Sequence, residues 1–145
     1  MAANTTPIYP LTPKVSWGTL ATANTAKDGT GTVVTLFEAG VNGARIDQIK
    51  VRALGTNVAT VLRLFVNNGS DSATAANNSL FHETTIAAAT LSEVAALADN
   101  DLLIDKNTGE KVPPIQFLPA GYKINAAIGT TVAAGLQVTV SGADY

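Results

Sequence analysis

The side chain best suited to general acid–base chemistry near neutral pH occurs once in this sequence, as His82. Acyl-transfer chemistry of the Ser-His-acid type would have to use that residue. His82 shares strand parity with Leu80 and Ile86, and no nucleophile-elbow sequence accompanies it. Such a histidine is typical of a protein interior or an interface. We therefore expect no catalytic residue and no enzymatic activity.

Four carboxylates occur at a spacing that resembles a calcium-binding loop: Asp99, Asp101, Asp105 and Glu110. A loop of that kind needs an oxygen ligand at its fifth position and glycine at its sixth. Leu103 and Ile104 occupy those positions. A looser cation site that includes Asp71 stays open, although solvated loop carboxylates are the simpler interpretation. We expect no metal and no cofactor.

Phosphate and nucleic-acid recognition find little support in the sequence. The segment 28–31, DGTG, is too short for a phosphate loop and is followed by no helical pattern, so it predicts a turn. Lys50, Arg52 and Arg63 form the only basic cluster, and three exposed charges on a sheet face are normally solvated surface rather than a nucleic-acid-binding stripe. The formal net charge is −2, which gives no field that would gather a polyanion. We expect neither nucleic acid nor membrane as a partner.

Aromatic residues that could form a carbohydrate-binding platform are few: Tyr9, Trp17, Tyr122 and Tyr145. Two of them lie near the termini. A module that binds host glycan through a groove around Trp17 or Tyr122 is therefore kept as the alternative function.

The composition indicates a protein that works through contact with other proteins. Charged residues make up 14% of the 145 residues, whereas about 25% is usual. Cysteine is absent, so disulfides and thiolate metal sites are excluded. The N-terminal residues 1–14 show neither a basic n-region nor an apolar h-region. We expect a chain made in the cytosol and assembled there into something larger.

The clearest strand signal lies at residues 44–67, where two runs of alternating apolar residues flank the segment 54–57, LGTN. This pattern predicts a β-hairpin. One face of each arm is expected to cover a common core, with Ile49, Val51 and Ala53 from the first arm and Leu62, Leu64 and Val66 from the second. The opposite face is predicted to point outward and carries Gln48, Lys50, Arg52, Val61, Arg63 and Phe65.

Further strands are predicted at 15–24, 32–39, 80–87, 102–105, 115–118, 122–129 and 136–141, with a long polar loop at 68–79. Residues 91–98 have helical spacing after a possible capping box at Thr90 and Glu93, which predicts one short helix or helical turn. About eight short strands with almost no helix predict an all-β fold, an antiparallel sandwich of jelly-roll type. We expect a single domain over residues 15–145.

Residues 1–14 are predicted to form an extended N-terminal arm, because Pro7, Pro10 and Pro13 block helix and favour extended geometry. An unstructured tail is the alternative. If the arm lies on a neighbouring subunit, its apolar anchors are Ile8, Tyr9 and Leu11.

Several phrases of the sequence resemble small structural proteins of tailed-bacteriophage virions. They are LFVNNG at 64–69, TAANN at 74–78, LPAGYKI at 118–124, IGTTVAAG at 128–135 and the ending GADY. The resemblance covers residues 44–145 and is nearest to head-decoration, or cement, proteins with a jelly-roll fold. These phrases are turns and strands rather than catalytic signatures.

The resemblance implies a virion protein that sits on the capsid exterior and clamps major capsid subunits; the alternative is a phage tail-associated module or one that binds host glycan. The implied partners are the major capsid protein and further copies of this chain, as a dimer or a trimer. The candidate capsid or subunit contacts are Ile8, Tyr9, Leu11, Lys50, Arg52, Arg63 and Phe65.

Overall fold

The computed structural model describes residues 9–102 and 114–145, in which nine strands form, the longer ones where β-branched and aliphatic residues alternate with polar ones. Within these residues, a single 3-10 turn, Ala75–Asn77, interrupts the long polar loop. The strands are β1 (Thr12–Leu20), β2 (Val34–Glu38), β3 (Ala44–Ala53), β4 (Thr60–Asn67), β5 (Asn78–Ile86), β6 (Asp99–Asp101), β7 (Phe117–Leu118), β8 (Lys123–Ile128) and β9 (Leu136–Asp144).

The strands form two antiparallel sheets. The first has the order β1-β9-β3-β6, with the short β7 also paired to β3, and the second has the order β2-β8-β4-β5. In each sheet a strand from the end of the chain, β9 or β8, lies between two strands from its beginning, as in a jelly roll. The predicted all-β sandwich of jelly-roll type is therefore confirmed.

The core lies between the two sheets and is built from the inward residues of every long strand. Ile49, Val51 and Ala53 of β3 and Leu62 and Leu64 of β4 are all buried in it, as predicted. Val66 is partly buried and packs against the same cluster.

The predicted hairpin at 44–67 is wrong, because β3 and β4 belong to opposite sheets. The connection at 54–59 turns a corner of the sandwich. Asn57 fixes this corner by donating a hydrogen bond from Nδ2 to the carbonyl of Gly135 and accepting one at Oδ1 from the amide of Ala134. The alternation within a strand shows which side chains face the core, but it does not show which strand lies beside it. The pattern therefore predicts the inward faces of β3 and β4 correctly and their pairing with each other wrongly.

The predicted helix at 91–98 is also wrong. The amide of Leu91 donates to the Thr56 hydroxyl, and Ser92 Oγ accepts from the amides of Val94 and Ala95 in a local turn. Leu97 alone of the apolar residues with helical spacing packs against the core, while Leu91 and Val94 are exposed, so the segment buries no continuous apolar stripe. The predicted strand at 102–105 lies largely outside the described residues, and the residues just before it form β6.

The first strand begins at Thr12, earlier than the predicted start at Val15, so the C-terminal end of the predicted arm is part of the sandwich. Pro13 is tolerated because β1 is an edge strand. Side chains from β1 close the gap to β2: Lys14 Nζ donates to the carbonyl of Glu38, and Ser16 Oγ donates to the carbonyl of Leu36. Lys14 also forms an ion pair of 3.2 Å with Asp144.

Candidate protein-contact surface

The outward face of the second sheet is partly covered by the chain itself, while its β5 side remains exposed. Residues 21–33, which we call the strap, connect β1 to β2 and pass over this face. The amide of Asn24 donates to the carbonyl of Ile128, the last residue of β8. Arg63 of β4 donates from Nη1 to the carbonyl of Asn24. Further along the strap, Gly29 lies against Asn78 at the start of β5. The strap therefore reaches across three strands.

The strap holds its shape through side chain-to-backbone hydrogen bonds. Asn24 Nδ2 donates to the carbonyls of Thr30 and Thr32 at 2.7 and 2.9 Å, and its Oδ1 accepts from the amide of Ala26. At the tip, the amide and hydroxyl of Thr30 both donate to Asp28 Oδ1, and these bonds hold the pKa of Asp28 below its ordinary value. Gly29 and Gly31 supply the positive φ angles that this tight path needs.

Two of the predicted outward residues are buried beneath this cover. Phe65 is fully buried and Arg63 is 8% exposed, so the prediction that they form an exposed surface is wrong. Arg63 Nε forms an ion pair of 2.9 Å with Glu83, and Arg63 Nη1 donates to the carbonyl of Asn24 in the strap. Neither side chain can contact another protein without displacement of the strap.

The outward face of the first sheet is open. It presents columns of side chains from β1, β9 and β3, with a shorter fourth column from β6 beside β3, and the strand register places them in rows. One row is Trp17, Thr139 and Lys50, and the next is Thr19, Gln137 and Arg52. The β9 residues of this face are half-buried, whereas Trp17, Thr19 and Arg52 are exposed.

Large exposed apolar side chains occur along β1 and on the residues just before it. Tyr9, Leu11, Val15 and Trp17 are 69, 79, 60 and 60% exposed, and we call them the apolar strip. Their odd-numbered spacing places Val15 and Trp17 on one side of β1. Leu11 continues the pairing, since its amide donates to the carbonyl of Asp144. Contiguous exposed apolar surface of this kind is typical of a protein-interaction site.

Lys50 and Arg52 lie on the β3 side of the open face, as predicted. Both are close to Asp99 of β6, at 3.6 and 3.5 Å, and all three side chains are about half exposed. Gln48 donates to Asp101 in the neighbouring row. Ion pairs this exposed contribute little to stability, so these side chains remain available to a partner.

Exposed apolar side chains also lie at both ends of the sandwich. At the end where the chain enters β1, which we call the arm end, Val41 and Phe117 accompany Tyr9 and Leu11. The pairing of Ala44 with both Asp144 and Leu118 places these elements together. At the opposite, far end, the corner and the loop that follows β5 expose Leu54, Val58, Leu91 and Val94.

Of the sequence-predicted contacts, Tyr9 and Leu11 lie on the apolar strip and Lys50 and Arg52 on the same open face. Ile8 lies outside the described residues. The sequence analysis missed Val15, although the alternation of Val15 and Trp17 with Ser16 and Gly18 was visible in it.

The residues considered for chemistry do not assemble into a catalytic site in the described part of the chain. His82 is half-buried on β5 opposite Leu64. Asp99 and Asp101 lie on β6, while Asp105 and Glu110 fall outside the described residues, and no group of three potential metal ligands occurs within residues 9–102 and 114–145. A shallow polar cleft is lined by Val61, Glu83, Thr84 and Thr85.

The aromatic residues considered for glycan binding are not brought together. Trp17 stands on the open face, whereas Tyr122 packs against the core in the turn before β8. Over the same described residues, no helix has the length and apolar character needed to cross a membrane.

Comparison with known proteins gives distant likenesses. No protein-family model and no curated protein matches the chain. Among solved structures, it is similar over 99% of its length to 94% of a chain in the cyanophage Pam1 capsid asymmetric unit, with 17% identity and a TM-score of 0.40. It is also similar over 97% of its length to 36% of a chain of infectious bursal disease virus, Gx strain, with 13% identity and a TM-score of 0.30. Both likenesses are too distant to bear on function.

Proposed function

We propose that this protein is a structural component of a bacteriophage virion that binds the outer surface of the capsid and clamps major capsid subunits. In this role the protein is assembled onto the shell in the host cytoplasm and carries no catalytic activity. Its work is to add contact area between neighbouring capsid subunits.

The observation that carries the proposal is the apolar strip. Four large apolar side chains on an edge strand and on the residues just before it gain nothing from exposure to solvent, and they lower solubility unless a partner covers them. Each such side chain contributes about 1.5–3 kcal/mol when it is fully buried. The strip can therefore anchor the protein without any charged or catalytic group.

Tyr9 and Leu11 are the side chains that we assign to the shell. They precede the first strand at the arm end, where Val41 and Phe117 add further exposed apolar surface. The low charge of the chain suits such contacts, because few ionic groups need to be desolvated when two proteins meet.

The test is occupancy of the protein on purified capsids that lack it, measured by quantitative gel densitometry after sedimentation. The double variant Tyr9→Ser/Leu11→Ser is expected to lower the apparent affinity at least about tenfold, since two buried apolar contacts are lost. Both side chains are exposed in the free protein, so the variant is expected to fold normally.

The matched control is Val58→Ser/Val94→Ser, which removes two exposed apolar side chains at the far end. Unchanged binding of this control, with weakened binding of the arm-end variant, supports the assignment. Loss of binding in the control alone would move the contact to the far end. Failure of the wild-type protein to bind capsids would overturn the proposed function.

A further inference from the structure

The open face has an order of columns that suits pairing with its own copy. The β9 column lies between the β1 and β3 columns and is neutral and small or medium in size, with Gln137, Thr139 and Ser141. The β1 column on one side carries Val15 and Trp17, and the β3 column on the other side carries cations. Adjacent strands lie about 4.8 Å apart, so the two outer columns are equally distant from β9.

We propose that two copies of this chain pack through their open faces about a two-fold axis that runs along β9, parallel to the strands. Such an axis maps the β9 column onto itself and exchanges the two outer columns. Thr139 then faces Thr139 of the second copy, Trp17 lies over its Lys50, and Thr19 lies over its Arg52. The inference identifies a second copy of the chain as the partner of the open face. It rests on the proposed function only where the direction of the axis is argued from both arm ends reaching one capsid.

Electrostatics favour this axis over the alternative that crosses the strands. An axis across the strands would place each β3 column on the β3 column of the other copy, so that lysine and arginine face each other as water leaves the interface. Along the strands, each cation instead meets the β1 column, where the indole ring of Trp17 offers a favourable cation–π contact. Asp99 stays at the rim and keeps its ion pairs with Lys50 and Arg52.

The same axis brings both arm ends to one side of the dimer. Rotation about an axis parallel to the strands leaves their ends at the same height, so Tyr9 and Leu11 of both copies can reach one shell. Two linked contacts bind much more tightly than one, because the second forms within the complex. An axis across the strands would send the two arms to opposite ends.

The size of the face is compatible with a specific but modest dimer. Strands β1 and β9 have nine residues each, and three columns of such strands cover about 14 by 30 Å, or about 400 Å² of sheet plane per copy. Side-chain relief raises the area buried by two copies to about 1,000 Å², near the lower limit of specific interfaces. We therefore expect a weak and reversible dimer.

The absence of cysteine allows a direct test by single-cysteine variants and a short bis-maleimide. Thr139→Cys is expected to give a cross-linked dimer with itself. An equal mixture of Thr19→Cys and Arg52→Cys is expected to cross-link, while neither variant does so alone. Val94→Cys at the far end is the control and should stay monomeric on the gel. If neither Thr139→Cys nor the mixture cross-links, the proposed interface is overturned. If Thr139→Cys cross-links and the mixture does not, the proposed axis is overturned.

Sedimentation equilibrium without capsids gives an independent readout. The wild-type protein should show about twice the chain mass of 14.8 kDa, whereas Thr139→Arg should show the chain mass with unchanged circular dichroism. Val94→Arg should remain dimeric. A wild-type protein that is monomeric at 100 μM and still decorates capsids would overturn the dimer and leave the proposed function standing. A protein that is dimeric but fails to bind capsids would overturn the proposed function and leave the dimer standing.

Discussion

The two outward faces of the sandwich differ in how they are treated by the rest of the chain. On the second sheet the strap covers β4, and Phe65 beneath it is fully buried. On the first sheet Trp17 stands on β1 with 60% of its surface exposed. A large aromatic residue on an outward face is thus a core residue in one case and a contact residue in the other. What decides between the two outcomes is a connection that lies far away in sequence.

The largest difference between the faces is expected for the two aromatic residues. Phe65→Ala should lower the free energy of unfolding by about 3–5 kcal/mol, because it leaves a cavity between the sheet and the strap. Trp17→Ala should change it by less than about 1 kcal/mol in dilute protein, where the indole is largely solvated. Urea denaturation followed by circular dichroism measures both. Equal losses would mean that the two faces are not distinct.

The two arginines should differ in the same direction. Arg63→Ala removes the ion pair with Glu83 and leaves the carbonyl of Asn24 without its donor, so a loss of about 2–3 kcal/mol is expected. Arg52→Ala removes only an exposed pair with Asp99, so about 0–0.5 kcal/mol is expected. Urea midpoints of the two variants give the comparison, and a costly Arg52→Ala would contradict the description of an open face.

Alanine variants of two glycines with similar φ angles separate the effect of strap packing on stability from the effect of backbone strain. Gly29 and Gly121 have φ values of +77° and +71°, so alanine is strained at both by about 1 kcal/mol or more. At Gly29 a Cβ would also lie 2.6 Å from the Cβ of Asn78, while at Gly121 it meets nothing within 4 Å. Gly29→Ala should therefore be less stable than Gly121→Ala by about 1 kcal/mol, as measured by thermal denaturation. Equal costs would mean that the strap does not press on the sheet.

The smallest effect concerns the tip of the strap. The Thr30 hydroxyl lowers the pKa of Asp28 in the folded protein, so this carboxylate stabilises the fold above the ordinary aspartate pKa. That contribution is lost as the pH falls below about 4 through the folded pKa. Thr30→Val should raise the pKa of Asp28 toward its ordinary value, which an NMR titration of the side-chain carboxyl can follow. An unchanged titration would show that the tip is not ordered in solution.

The sequence predicted most of the sandwich because strands carry their own period. The inward residues of β3 and β4, the strand at β9 and the jelly-roll class all follow from alternation and turn residues. The pairing of β3 and β4 did not follow, since a corner and a hairpin have the same local pattern when Gly55 and Asn57 lie between two strands. Asn57 takes its role from Gly135 and Ala134, which are close only in the folded chain.

The sequence predicted the exposed candidate contact residues correctly but not the buried ones. Tyr9 and Leu11 were identified by the prolines around them, and Lys50 and Arg52 by their place on the polar side of a strand. Arg63 and Phe65 had the same alternation as those two cations and were placed outward for that reason. Their burial depends on the strap, whose segment DGTG was recognised as a turn but whose path over β4 has no signature in a single sequence.

The central claim is that the open face and its arm end, rather than the strap-covered face or the far end, bind other proteins. Hydroxyl-radical footprinting of dilute free protein and of capsid-bound protein tests it most directly. The account predicts strong protection of Tyr9, Leu11, Val15 and Trp17 on the capsid, with Val58 and Val94 unchanged. Protection of Val58 and Val94 with the apolar strip still reactive would contradict it.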